Sequence, residues 1–388
     1  MDELNPKEEQ IKVLFLCSWY PTIQKPTFGL FTKKHAQAVS SVGNSVTVLS
    51  LQYFASKKIF SKTTTTALED GIETHLIHIH SRIHKWLYVI PFLNNWIIWN
   101  YFKNHLQEKN FSIIHANSLY PASIAANFIS KKTSIKFLIT EHWSKVDKYM
   151  RTNLLAFYGK NAYNQASCIT CVSHFLGEGL KPYIQAPEKI RIVPNVVDTS
   201  VFNFKDKKSA PNRKVFTAVA AWKSPKIPSL FFDALNAYQR KTGLEIILNM
   251  VGNGPLLDDI QKKQSNIQVK SWGILGSNEI ARILHDTDYF VHASSIETFS
   301  IVVAEALATG TPVICSNTGA LPELINFQNG VLVKNNLSDW IDGIEKLTQT
   351  AFDNEQISQE TKYKFDNKVI GDLFTNTYFD ILSQTDQK

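Results

Sequence analysis

Short apolar runs bounded by turn residues alternate along this chain with longer stretches of helical period. In the first half the runs are IKVLFLC, SVTVLSL, SIIHAN, IKFLIT and SCITCVS, each followed by a candidate helix. That alternation predicts parallel strands covered on both faces. A second series begins with VFTAVAAW and continues through LEIILNMVG, NIQVKSWG, DYFVHAS, TPVICS and GVLVK. The repetition predicts an α/β chain with two doubly wound, Rossmann-like halves. Between them VVDTSVFNFKDKKSAPNRK is polar and rich in Lys, Asp and Ser, and reads as a linker over 196–212. The expected organisation is an N-terminal domain over 1–195, this linker and a C-terminal domain over 213–366, with a last helix near 367–388 free to pack back on the first domain. Open α/β sheets bind ligands beyond the carboxyl ends of their strands, so the expected site is a cleft between the halves.

The bulk numbers agree with two cores, since 388 residues at 44% hydrophobic content can fill both. The polar start MDELNPKEEQ argues against a secretory signal, and no apolar run reaches 18 residues, so a cytoplasmic location is expected. Cys168 and Cys171 form a C-x-x-C inside a strand run, where residues three apart point to opposite faces, so a shared metal or redox pair is not expected. Charge is uneven. Residues 1–200 hold 22 Lys/Arg against 13 Asp/Glu, and residues 201–388 hold 19 against 21. The basic half suits anionic lipid or a phosphorylated acceptor; its scattered cations and lack of motif argue against nucleic acid.

Candidate chemistry concentrates in HASSIETFSIVVAEALATGTPVI, where Glu297 and Glu305 stand eight positions apart. On one helix that spacing is roughly 12 Å of rise, close to the span from hexose to ribose in a nucleotide-diphospho-sugar. Hydrolase carboxyl pairs are closer, at about 5 to 9.5 Å. A helix start near Thr298, Phe299 and Ser300 offers backbone N–H groups to a diphosphate. Alone, E-x7-E is a chance spacing. Here Glu305 lies amid Val302, Val303, Ala304, Ala306 and Leu307, so it is expected to be paired or ligand-directed; the alternative is a core glutamate bridged to a basic residue. Gly252 and Gly254 in MVGNGPLLDDI suit either close approach to a nucleotide or an ordinary βα turn. Asp286-x-Asp288 closes a helix and opens a strand, the wrong end of a sheet for a metal-held diphosphate.

These segments resemble the retaining glycosyltransferases of family 4, which have the GT-B fold, over nearly the whole chain. The likeness rests on HASSIETFSIVVAEALATGTPVICSNTGALPELI, where Gly319, Ala320 and Glu323 stand in a late Gly-Gly-x-x-Glu, and on VPNVVDTSVF, with Pro194, Asn195 and Asp198 kept and Val196 in place of glycine. It implies that Glu297 contacts the donor hexose and Glu305 the ribose. In VAAWKSPKIPSL, Lys226 matches a lysine that holds the diphosphate, Ala221 stands where an arginine is usual, Ile227 replaces a glycine, and Lys223 is a possible substitute cation. Gly29, after SWYPTIQKPTF, matches a glycine facing the donor phosphates, against the alternative of a plain turn. His142 in FLITEHWS resembles a histidine of the acceptor side, beside Glu141, and Ser173 matches a serine near the cleft.

The implied activity is metal-independent, retaining transfer of a hexose from a nucleotide sugar to a hydroxyl of a glycan or lipid-linked acceptor, without a cofactor. SWYP and TEHWS look like segments of bacterial surface-polysaccharide transferases, which implies a lipid-linked acceptor. Two rivals stand beside it: a sugar-nucleotide epimerase of the same fold, and a transferase-like scaffold subunit, which Ala221 favours. Residues 83–106 concentrate Trp86, Trp96, Trp99, Tyr88, Phe92, Tyr101 and Phe102 among His and Lys, a composition suited to lipid headgroups on one face and a protein core on the other.

Overall fold

The strand runs form two separate sheets in the computed structural model, which describes residues 10–143, 146–150, 153–206 and 210–384. The first nine residues and residues 207–209 of the polar connecting segment lie outside this range. The chain divides into Met1–Asn195 with Asn367–Lys388, and Val196–Asp366. Residues 196–202 of the segment read as a linker fold onto the second unit: the Val197 N–H donates to the Phe365 carbonyl at 2.9 Å, and Phe202 is fully buried.

In the first unit the strands are β1 (Lys12–Cys17), β2 (Ser45–Ala55), β3 (Ser61–Glu69), β4 (Ile72–Ser81), β5 (Ile113–Asn117), β6 (Phe137–Glu141), β7 (Cys168–Cys171) and β8 (Ile190–Ile192). Their order is β3-β4-β2-β1-β5-β6-β7-β8. β1 lies at the centre because VLFLC is apolar on both faces and helices cover both. Helix α1 (Leu30–Ser41) returns the chain from β1 to β2. One expectation fails next. β2 is followed by the hairpin β3–β4 rather than a helix, and the pair is antiparallel. Asp70 and Gly71, with φ of 53° and 76°, form its two-residue turn, the primed geometry that Asp-Gly favours. β3 escapes a periodicity reading because nearly all of KTTTTALE is exposed, leaving no apolar alternation.

Helices α2 (His84–Tyr88) and α3 (Pro91–His105) follow β4. Pro91 opens α3 at a position where its missing N–H costs nothing. The C-terminal helix Asn367–Ser383 buries Ile370, Phe374, Tyr378 and Ile381 in this unit. Phe374 packs its ring 4.8 Å from that of His115, and the Tyr378 hydroxyl lies 2.6 Å from His115 Nδ1. His115 Nε2 in turn meets Thr140 Oγ1 at 2.6 Å, so the last helix is fastened to β5 and β6 through one buried imidazole.

The second unit contains β9 (Arg213–Val219), β10 (Glu245–Val251), β11 (Gln268–Gly273), β12 (Tyr289–His292), β13 (Val313–Ser316) and β14 (Gly330–Val333). All pair in parallel, in the order β11-β10-β9-β12-β13-β14. The order reverses between β9 and β12, which makes the gap beyond their carboxyl ends a topological switch point. Phe216, Leu248, Val291, Ile314 and Trp340 are among the core side chains. Cys168 and Cys171 are buried in β7, their thiols pushed up by desolvation to about 11 and beyond the ordinary range respectively.

Because Phe374 is fully buried between helix and sheet, Phe374→Ala is expected to lower unfolding free energy by about 3 to 5 kcal/mol. Urea unfolding of the full chain measures this, and a loss below about 1 kcal/mol would show that the last helix is not integral to the unit.

Candidate active site

Three loops converge at the switch point of the second unit. After β9 the chain runs through Trp222 to Lys226, and the Ile227 N–H donates to the Ala293 carbonyl at 3.0 Å. After β12, the Ser295 N–H donates to the Pro225 carbonyl at 2.9 Å. After β13, the Ala320 N–H donates to the Glu297 carbonyl at 2.9 Å, and Thr318 Oγ1 donates to the Ser295 carbonyl at 2.9 Å. Gly319 makes this last approach possible: with φ of 57°, any Cβ there would stand 2.2 Å from the Glu297 carbonyl oxygen. Ser294 and Ser316 complete the base, Ser316 Oγ accepting the Ser294 N–H at 3.0 Å.

Lys226 and Glu297 meet in this nest as an ion pair, and His292 Nε2 lies 2.9 Å from the same carboxylate oxygen. Their side chains are 17% and 12% exposed, so the pair sits largely out of water. Burial pushes the Glu297 carboxyl up, but the His292 hydrogen bond and the Lys226 charge outweigh it and hold the pKa down to about 2. Burial lowers the pKa of His292 further than Glu297 raises it, leaving the ring neutral at neutral pH. A neutral ring that donates to Glu297 carries its proton on Nε2. The bridge to a basic residue that stood as the alternative for Glu305 is found instead at Glu297. Its partner is the lysine that the resemblance assigns to the diphosphate.

The helix Ile301–Ala308 starts four residues beyond Glu297. The expectation of one helical axis through both carboxylates therefore fails, and with it the rise of eight helical residues. Thr298, Phe299 and Ser300 precede the helix instead of forming its first turn. Ser300 is its N-cap in left-handed backbone, φ 79°, with Oγ 3.3 Å from His292 Nε2. The serine thus holds a backbone conformation that glycine adopts more readily. Phe299 is a core anchor, its ring 5.3 Å from that of Phe365. Glu305 is buried on the helix among Val303, Ala304 and Ala306. Lys223 and Ala221 are exposed on the loop after β9.

Gly252 and Gly254 do mark a close approach, but to protein. A Cβ on Gly252 would lie 1.9 Å from the Ala220 carbonyl oxygen, and one on Gly254 2.3 Å from that of Trp222. They support the loop that carries Lys226. Asp288 accepts the Val215 N–H at 2.7 Å and, with Asp286 and Arg213, lines an 850 Å³ cavity at the amino ends of β9 and β12, the opposite edge from Lys226. No group of three or more metal-ligating side chains occurs among the described residues.

In the first unit the order reverses between β1 and β5. Gly29 caps α1 with φ of 73°, where a Cβ would meet the Trp19 carbonyl carbon at 2.4 Å. His142 directly follows β6, with Nε2 3.4 Å from Asn117 Oδ1 and its ring 4.4 Å from that of Phe31 and 5.2 Å from that of His35. Burial holds its pKa well below the usual histidine value. Glu141, fully buried beside it, accepts the N–H groups of Leu119, His142 and Trp143 at 2.9, 3.0 and 3.1 Å and the Tyr163 hydroxyl at 3.1 Å. Desolvation raises its pKa to about 7 against those four donors. Ser173 caps the helix His174–Leu180 by accepting the Leu176 N–H, a local role. A 530 Å³ cavity in this unit is lined by Trp19, Tyr53, Tyr88, Trp143 and Tyr149 with Lys25 and Lys85.

The sequence reading missed His292 and the left-handed Ser300. A histidine closing a strand at the switch point was the available signal. Since the Glu297 pKa is depressed, its pairing stabilises fully above the unfolded value of about 4.5 and is lost as pH falls through about 2. Between those limits wild type is expected to lose about 3 kcal/mol more than Glu297→Gln. Urea unfolding at a series of pH values checks this, and parallel acid limbs would remove the pairing's contribution.

Comparison with known proteins follows the same division. Residues 32–201 match the profile of Glycosyltransferase Family 4, and residues 201–364 that of Glycosyl transferases group 1. The putative teichuronic acid biosynthesis glycosyltransferase TuaC of Bacillus subtilis is 24% identical over 84% of this chain and 85% of its own. Alpha-monoglucosyldiacylglycerol synthase of Streptococcus pneumoniae is 22% identical over 93% of this chain and 87% of its own. Among solved structures, Anabaena Alr3699/HepE in complex with UDP-glucose superposes with a TM-score of 0.69 at 16% identity, covering 96% of this chain and all of that one. With both profiles matched in succession and a strand order of this kind in each unit, the chain belongs to the family 4 and group 1 glycosyltransferases and has their GT-B fold.

Proposed function

We propose that this glycosyltransferase moves a hexose, with retention, from a nucleotide-diphospho-sugar to a hydroxyl of a glycan or lipid-linked acceptor in surface polysaccharide synthesis, acting in the cytoplasm. The observation that carries the reading is the Lys226–Glu297–His292 cluster at the second unit's switch point, where α/β sheets bind ligands. The names of TuaC and of the diacylglycerol synthase support a glycan or lipid acceptor. Alr3699/HepE with UDP-glucose supports the donor class.

On this reading the glycosidic carbon–oxygen bond to the diphosphate breaks with its electron pair leaving on the phosphate oxygen. The acceptor hydroxyl attacks the same face, and its proton passes to the departing phosphate. Lys226, the N-terminus of the helix Ile301–Ala308 and its neighbours Thr298 and Ser300 stabilise the leaving charge, with Lys223 as a second cation. Glu297, held ionised, orients the hexose and Glu305 the ribose. His142, kept neutral by burial, hydrogen-bonds a sugar or acceptor hydroxyl, and Gly29, whose missing Cβ lets α1 start against the Trp19 main chain, sets the loop that faces the donor phosphates. No step calls on a metal or a cofactor.

Ala221 supports a second reading, a scaffold subunit without turnover, because an arginine fork to the diphosphate is missing. Turnover of labelled UDP-, GDP- and ADP-sugars separates the two. Wild type is expected to exceed Glu297→Ala by about 10²-fold or more, the scale set by removing one transition-state contact. Equal background rates would favour the scaffold, and conversion of the nucleotide sugar without acceptor would indicate an epimerase. The matching donor at 100 times its Kd should stabilise wild type by about 2.7 kcal/mol, and Lys226→Ala much less at the same concentration.

A further inference from the structure

Lys226 Nζ and His292 Nε2 both bond Glu297 through Oε1, the histidine at 2.9 Å, and neither addresses Oε2. The ammonium also lies 3.5 Å from His292 Nε2. Because Nε2 carries the proton of the ring, that approach sets donor against donor and is not a hydrogen bond. The two groups are neighbours only through the oxygen they share. One carboxylate oxygen thus has two donors, either of which would satisfy it alone.

The two donors are mounted differently. His292 closes β12, pairs in register with Cys315 of β13 and is backed by Phe290, whose ring lies nearly parallel to its own at 6.4 Å. Ser300 Oγ, 3.3 Å from Nε2, closes another side, and the imidazole is buried. Lys226 instead rides the loop after β9 and reaches Glu297 on a flexible four-carbon stem. An anion entering beside the pair therefore draws off the lysine and leaves the histidine where it is.

We propose that His292 is a positioning residue of the donor site: it holds the Glu297 carboxylate in place while Lys226 exchanges that carboxylate for the diphosphate of an incoming nucleotide sugar. The inference rests on the transferase reading above and deepens it, since one lysine then serves two anions in turn. A change in protonation follows from the exchange. Among the described residues Glu297 favours a second proton on the His292 ring and Lys226 opposes it. The Cys315 thiol, its register partner, is held above its ordinary range by burial and stays uncharged. On the helix Ile301–Ala308 the one charged residue is Glu305. Moving Lys226 away, toward a ligand that is itself anionic, removes the opposing charge and raises the affinity of the ring for a proton. Donor binding then takes up a proton, and by linkage the donor binds more tightly as pH falls through the range in which His292 titrates.

Titration calorimetry of the full chain with UDP-, GDP- and ADP-glucose, at about pH 7.5 and about pH 6, either side of the ordinary histidine pKa, tests this. His292→Leu removes the donor, and His292→Gln restores one with an amide that reaches where Nε2 stood. His292→Leu is expected to bind the matching sugar nucleotide about 10- to 100-fold more weakly, the scale of one hydrogen bond to a charged group, and His292→Gln to recover most of that loss. Wild type should gain more affinity at the lower pH than either variant, with the titration of Glu305 common to all three. Wild-type titrations in two buffers of unlike ionisation enthalpy should show proton uptake, so the test stands even where His292→Leu does not fold. Wild-type affinity in His292→Leu, no recovery in His292→Gln, or donor binding without proton uptake would overturn the proposal and leave the transferase reading standing. If wild type binds none of the three sugar nucleotides, that reading fails and the inference falls with it.

Discussion

A carboxylate taken out of water must meet compensating charge or donors, and that constraint shapes the carboxyl edge of the second unit. Glu297 is nearly buried, and an isolated ion there would cost several kcal/mol. Lys226 and His292 compensate it, and each arrives on a different part of the chain: Lys226 on the loop after β9, His292 at the end of β12. Backbone bonds then add the loop after β13, through Gly319 and Ala320 against the Glu297 main chain. These contacts, with the Ile227–Ala293 and Ser295–Pro225 backbone bonds, make the three loops depend on one another. Such mutual dependence is what holds functional groups within a fraction of an ångström of one arrangement.

The first unit meets the same constraint with different means. Among the described residues three backbone N–H groups and the Tyr163 hydroxyl, rather than a cation, surround the two oxygens of Glu141. They tie the chain after β5, the chain after β6 and the helix Asn153–Gln165 together at the end of the sheet. Compensation by neutral donors is weaker than by a lysine, and the pKa values record the difference. Glu141 is raised to about 7, whereas Glu297 is held at about 2. His142 inherits its position from this anchoring, since its own N–H is one of the donors.

Much of this was legible in the sequence. The runs of β1, β5, β6, β7, β9, β10 and β12 to β14 are largely buried and bounded by clear turn residues, so the two-sheet α/β class follows from pattern, while the strand order within each sheet comes from the structure. β3 was not legible by the same means, because a strand exposed on both faces has no apolar period; its Asp70-Gly71 turn was the surviving signal. The site motif pointed to Glu297 and Lys226, and they meet. What spacing did not carry was conformation: Ser300 adopts a left-handed backbone that ends the loop and delays the helix, so the eight-residue interval is partly loop and its length in space cannot be taken from helical rise. Contacts distant in sequence, such as Gly252 against Ala220, were equally hidden, since a glycine required by ligand and one required by protein look alike in one dimension.

The same cluster explains how a site can lack the usual arginine and still suit an anionic ligand. On the proposed reading Lys226 serves Glu297 in the ligand-free protein and the diphosphate in the complex. Drawing it away would leave Glu297 uncompensated unless another donor stayed behind. His292 is placed for that: it is neutral, bonded to the same oxygen and fixed on a strand rather than a loop. A neutral donor does not compete with the incoming phosphates for Lys226, as a second cation's own counter-ion would. With Ala221 contributing no charge, more of the leaving group's stabilisation falls on Lys226 and on the dipole of the helix Ile301–Ala308. The weight shifts from a rigid guanidinium fork to a point charge whose position is set by the carboxylate it releases.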